Sequence, residues 1–337
     1  MDAKPYAQSD SETRKFVTAL KQYRHTPFKL EDGQRTYIHP SKYNAVEFQK
    51  YRKSHGGDVL EHSQWTELQI RTWIRDNNAL YTAIKNKAEY EHIVIAAAFL
   101  HDIGKGGDCI KSCMENVDGQ RDCFYDTLSN DKYQNQSVQR MEAIHVGDRV
   151  HPQYSTAVMT GQIPFYLTCE DDIEQRKKLN IDKILHELGV WQWRPAVFVI
   201  IDMHWEFGVI NVNPSEDKYV LRQKYWDYIK KFVDSCERVG SIINKTIKPT
   251  ADLLAACILV ACADISAGVN ERLVKESHPE SFVPDDVFDK DGKPVYPRPM
   301  TEVYADTLDP WKRFKMEDRA LEYQQGVLGL FAEICQQ

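Results

Sequence analysis

A chain of 337 residues with 42% hydrophobic and 28% charged side chains can bury a core as one large domain with extensions, or as two modest ones. A net charge of −7 and a pI of about 5.9 exclude the basic excess that a broad, sequence-independent grip on nucleic acid requires, although a local basic pocket stays compatible. The longest apolar runs, Ile93–Leu100 and Leu253–Ala263, fall short of the ~20 residues that span a bilayer, and the first residues lack an apolar signal core. Cys236, Cys257 and Cys262 lie inside apolar, helix-like runs, so buried reduced thiols and a cytoplasmic compartment are expected.

Taken along the chain, residues 1–50 read as a polar N-terminal extension punctuated by Pro5, Pro27 and Pro40, with one short helix near Ser11–Tyr23 and irregular structure after it. From about residue 58 the pattern turns helical. In Leu60–Ile74, His62, Trp65, Thr66, Gln69 and Trp73 recur at three- and four-residue steps and share one face. Glu89–Asp102 reads as a second helix, stopped by Gly104. An insertion of about residues 106–149 follows, with Val117-Asp118-Gly119-Gln120 as a hairpin-turn signal. Helical patterning resumes over Gln153–Gly161, Asp172–Leu188, Arg194–Phe207, Lys218–Val239 and the strongly apolar Ala251–Asp264. Residues 279–310 are proline-rich and read as a long loop or small ribbon, and Met316–Ile334 as a final amphipathic helix. The expected organisation is an N-terminal extension (1–50), a catalytic domain (51–278) and a Pro-rich loop with a C-terminal helix (279–337).

The chemistry concentrates in His101-Asp102-Ile103-Gly104-Lys105-Gly106, which closes an apolar helix. A His and an Asp at a helix end point ~100° apart, so each can reach one metal, or the Asp can bridge two. Lys105 sits close by as a mobile cation. Further candidate ligands occur in helix-like settings: His62 in Leu60-Glu61-His62-Ser63-Gln64-Trp65-Thr66, His151 before Pro152, His204 in Met203-His204-Trp205-Glu206, and Asp264 at the end of the most apolar helix. A carboxylate buried there needs a partner, and a metal would serve. His145 competes with His151 for the same role. Cys109, Cys113 and Cys123 match no common zinc spacing.

The order His, His-Asp, His, His, Asp resembles that of the HD-domain metal-dependent phosphohydrolase superfamily. The likeness covers about residues 58–270, and the HDIGKG, LEHSQWT and ACADISAG stretches carry it best. The cyclic-di-GMP phosphodiesterase pattern is absent: no double His stands at 204 and no Gly-Tyr-Pro follows. The resemblance implies an all-α HD-domain helical bundle, with a small β-ribbon allowed for in the insertion or near the C-terminus. It implies one or two divalent ions (Mn, Fe or similar) on His62, His101, Asp102, His151, His204 and Asp264. The activity so implied is a phosphomonoesterase or phosphodiesterase working through a metal-bound hydroxide. Asp102 would bridge or orient, and Lys105 would stabilise charge on the phosphoryl group. The expected partner is a nucleotide or another small phosphorylated metabolite, with neither membrane nor nucleic acid involved. Two alternatives stand beside it: a di-iron oxygenase of the same superfamily, and a non-catalytic HD-fold regulatory protein.

Overall fold

The most apolar stretch of the sequence forms the middle of the fold. In the computed structural model, which describes residues 11–20, 28–31, 34–37, 59–105, 152–153, 155–162, 179–206, 216–277 and 316–336, the chain is all-α apart from one small hairpin. The elements are α1 (Glu12–Leu20), β1 (Phe28–Glu31), β2 (Gln34–Tyr37), α2 (Val59–Arg75), the single turn α3 (Ala79–Thr82) and α4 (Lys87–Leu100). They continue with α5 (Ile181–Glu187), α6 (Arg194–Met203), α7 (Lys218–Ile242), α8 (Ala251–Ser277) and α9 (Met316–Cys335). Residues 155–159 are helical as well.

Helix α8 packs against α2, α4, α6 and α9, and α4 fills the space between α2 and α6. Every residue from Leu254 to Ala263 is fully buried, so this helix is apolar all round, as a central helix must be. Its window Ala251–Gly268 has the length and composition to cross a membrane, which corrects the reading of its apolar run as too short. Yet 83% of that window is buried inside the fold, which is the burial of a core helix. The thiols of Cys236, Cys257 and Cys262 are free and buried here, as expected.

The helix α1, placed in the extension by sequence, is tied into the core. The Glu187 carboxylate on α5 accepts the backbone N–H groups of Glu12 and Thr13 at 3.1 and 2.8 Å and the Thr13 hydroxyl at 2.7 Å. A helix leaves its first N–H groups without internal partners, so a carboxylate there both caps it and meets its positive end. Phe16 then packs edge-on to Phe99 of α4, with ring centroids 5.7 Å apart.

The place of the hairpin and the ends of two helices differ from expectation. The hairpin lies at residues 28–37, with Phe28 paired to Tyr37 in antiparallel register, in a segment read as irregular. The insertion at 106–149 and the segment 279–310, where a ribbon was expected, lie outside the described residues. Helix α8 does not end at Asp264 but runs on to Ser277, because its apolar run stops before its helical propensity does. Helix α6 stops at Met203, not Phe207. Gly161 and Gly189, at φ of 75° and 73°, are the left-handed residues that close their helices.

Candidate metal centre

Two helix bodies and two helix ends meet around His101. On α2, His62 belongs to the stripe seen in the sequence: His62, Trp65, Thr66, Gln69 and Trp73 are all buried. Facing it on α8 is Asp264. His62 Nε2 donates to Asp264 Oδ1 at 2.7 Å, and it lies 3.7 Å from Asp102 Oδ2.

The other ligand positions sit just past helix ends. His101 follows the last residue of α4 and His204 follows the last residue of α6. Each ring turns back on its own helix: His101 Nδ1 bonds the Ala98 carbonyl at 2.7 Å, and His204 Nδ1 bonds the Ile201 carbonyl at 2.5 Å. Helix-terminal carbonyls lack internal partners, and a carbonyl only accepts. Both rings must therefore carry a proton on Nδ1, and both turn Nε2 toward the cluster. A metal-binding histidine needs this tautomer, held by this kind of hydrogen bond.

His101 Nε2 lies 3.4 Å from Asp102 Oδ2 and 3.8 Å from Asp264 Oδ1, and His204 Nε2 lies 3.5 Å from Asp102 Oδ1. The ring centroids of His62 and His204 are 5.3 and 4.8 Å from that of His101. The side chains of His62, His101, Asp102 and His204 have no exposed surface, and that of Asp264 has 4%. Two sets of three donors result, His62–His101–Asp264 and His101–Asp102–His204, with ligand atoms within 4.8 Å of one another in each.

The donors fit a metal ion. Ligand atoms ~2.1 Å from one ion sit about 3.0–3.4 Å apart at tetrahedral or octahedral angles. The 3.4–3.8 Å separations in the cluster are close to that spacing. His101 Nε2 is also buried and, among the described residues, has no hydrogen-bond partner, a costly state for a polar ring nitrogen that an ion would relieve. Electrostatics agree with the ligand forms. Burial lowers the pKa of His204, the nearby His101 adds to this, and Asp102 only partly offsets it, so the ring favours neutrality. Burial raises the pKa of Asp264, but the hydrogen bond and charge of His62, with the charge of His101, outweigh it and hold the acid ionised.

The structure thus brings together His62, His101, Asp102, His204 and Asp264. His151 and His145 lie outside the described residues. Lys105 ends the short 3-10 turn Ile103–Lys105 directly after the His-Asp pair, and its side chain lies outside the described part. Gly104 acts through its backbone, which donates to the Ser155 hydroxyl at 2.9 Å.

Sequence reasoning passed over Asp202. Its buried carboxylate accepts Ser235 Oγ, an Arg238 amino group and, at 3.3 Å, Thr156 Oγ1. The signal was a charged residue inside Val199-Ile200-Ile201-Asp202-Met203, where an acid needs partners.

Comparison with known proteins adds no relative: no protein-family model, curated sequence or solved structure matches the chain.

Proposed function

We propose that the protein is a metal-dependent phosphohydrolase of the HD-domain type, acting on a nucleotide or another small phosphorylated metabolite in a reducing, cytoplasmic setting. The observation that carries this reading is the buried set of three histidines and two aspartates, with the Nε2 atoms of His101 and His204 turned toward it by backbone carbonyls. The His-Asp dipeptide and the following Ile-Gly-Lys turn lie at its centre, in the order that resembles that superfamily.

His62, His101, Asp102, His204 and Asp264 would hold the ion. Imidazole and carboxylate donors together suit Mn²⁺, Fe²⁺ or a similar divalent metal better than a thiolate-seeking one. When bound, such an ion supplies Lewis acidity toward a phosphoryl oxygen and toward water. A single Nε2 ligates one ion, and both donor sets use that of His101. The described side chains therefore complete one such set at a time. A second ion would need Asp102 to bridge and a further donor, for which His151, or His145 in its place, is the candidate.

The chain's own part is to exclude bulk water by burial, to favour the neutral ring of His204 and the ionised carboxylate of Asp264, and to offer Lys105 as a cation three residues beyond Asp102. A cation that meets the phosphoryl group as charge builds on it acts mainly on kcat.

Elemental analysis of purified protein, followed by a phosphoester panel of mononucleotides, dNTPs and cyclic nucleotides with Mn²⁺ or Fe²⁺, tests the reading. Metal-dependent release of phosphate or nucleotide that is lost in His101→Ala is the expected result. Oxygen uptake by iron-loaded protein without phosphoester hydrolysis would replace it with an oxygenase. Absence of bound metal would leave a non-catalytic fold.

A further inference from the structure

Two adjacent side chains on the helical residues 155–159 reach the two ends that carry His101 and His204. Ser155 Oγ accepts the Gly104 N–H at 2.9 Å, in the turn that follows His101 and Asp102. Thr156 Oγ1 shares its proton between the Pro152 carbonyl at 2.9 Å and Asp202 Oδ1 at 3.3 Å. Asp202 stands two residues before His204, so the two side chains leave the helix ~200° apart, one into the cluster and one away from it. Away from the cluster, Asp202 is held by Ser235 and Arg238, both on α7.

The carboxylate of Asp202 is 1% exposed, whereas the Arg238 side chain is 46% exposed. A buried charge without partners costs several kcal/mol, so this acid stays only where its three donors are. The end of α6 is thereby pinned to α7 and to residues 155–159, and Ser155 pins the same residues to the His-Asp turn. Across that bridge, His204 Nε2 and Asp102 Oδ1 stand 3.5 Å apart. By contrast, His62 and Asp264 bond each other directly.

We propose that Ser155, Thr156 and Asp202 are positioning residues that hold His204 at ligating distance from Asp102, so that loosening the bridge weakens metal binding through His204. The proposal rests on the metal reading of the cluster. It adds the claim that one of the ligand-bearing helix ends is placed by a polar bridge and not by core packing alone.

Titration of the metal-stripped full chain with Mn²⁺ tests it, with thermal melting followed in parallel. Ser155→Ala and Asp202→Asn should each weaken Mn²⁺ binding by about tenfold, the low end of what a supporting hydrogen bond contributes at a metal site. In a His204→Ala background, where His62, His101 and Asp264 remain to hold the ion, neither change should weaken binding further, because the residue they act through is gone. If Asp202→Asn fails to fold, Thr156→Val and Ser155→Ala carry the same cycle. Unchanged affinity in the single variants would overturn the proposal. So would losses that add to that of His204→Ala, since those would mark general destabilisation. Wild-type protein that binds no Mn²⁺ would sink the metal reading itself, and the proposal with it.

Discussion

The two sides of the cluster are built differently. His62 and Asp264 project from the bodies of long, packed helices and touch each other, with 2.7 Å between Nε2 and Oδ1. His101 and His204 stand one residue past helix ends, and each spends its Nδ1–H on a carbonyl of its own last turn. The first side is held by helix packing around α8 and by the hydrogen bond from His62 to Asp264. The second is held by backbone capping and by the polar bridge through Ser155 and Asp202. Both ways of placing a ligand serve one buried cluster, but they respond differently to mutation and to pH.

The largest effect should come from the residue common to both sides. His101→Ala removes the Nε2 used in each donor set, and tight binding of metal should vanish together with activity. Inductively coupled plasma analysis after dialysis measures it, and a metal content equal to wild type would refute the shared role.

Next is Lys105, beyond the helix-end side. Lys105→Ala should keep its metal and its melting temperature yet lose on the order of 10²-fold in kcat, as loss of comparable electrostatic groups does. Turnover near the wild-type rate at equal metal content would reduce Lys105 to a charge at a helix end.

The helix-body side can be broken on its own. Asp264→Ala removes the acceptor of the His62 Nε2–H inside the core. The metal-free protein should lose about 1–3 kcal/mol of stability, the usual cost of stranding a buried donor. Urea unfolding of wild type and variant reads this directly, and equal midpoints would show that the pair contributes nothing before metal arrives.

The smallest effect is on pH. Burial depresses the folded pKa of His204 below its unfolded value of about 6.5. Between those two values the unfolded chain binds the extra proton, so stability falls as the pH falls. The metal-free protein should be most stable above pH 6.5 and lose, from this ring, at most about 1.4 kcal/mol per pH unit below it. His204→Gln should flatten that part of a melting-temperature profile; an unchanged slope would assign it to other groups.

Much of this arrangement was legible in the sequence, for physical reasons. The stripe from His62 to Trp73 showed because α2 is polar enough for its buried face to stand out at helical spacing. The convergence of His101, Asp102, His204 and Asp264 could be expected from motif order, not from spacing. The end of α8 was misplaced because apolar length stood in for helix length, and Val269–Ser277 continues the helix with a polar sequence. The end of α6 was misplaced because no glycine or proline marks it; a histidine capping the Ile201 carbonyl does. The hairpin at 28–37 carried a signal, Asp32-Gly33 between Phe28-Lys29-Leu30 and Gln34–Tyr37, that went unused. The bonds from Gly104 to Ser155 and from Thr156 to Asp202 join residues distant in sequence, and no local pattern announces them.

The central claim is that these buried side chains form one divalent-metal site. Calorimetric titration of metal-stripped protein with Mn²⁺ near pH 7.5, wild type against His101→Ala, tests it most directly. The expected result is at least one equivalent bound by the wild type and none bound tightly by the variant, with both folded by circular dichroism. Equal binding by the two proteins, or no binding by either, would contradict it.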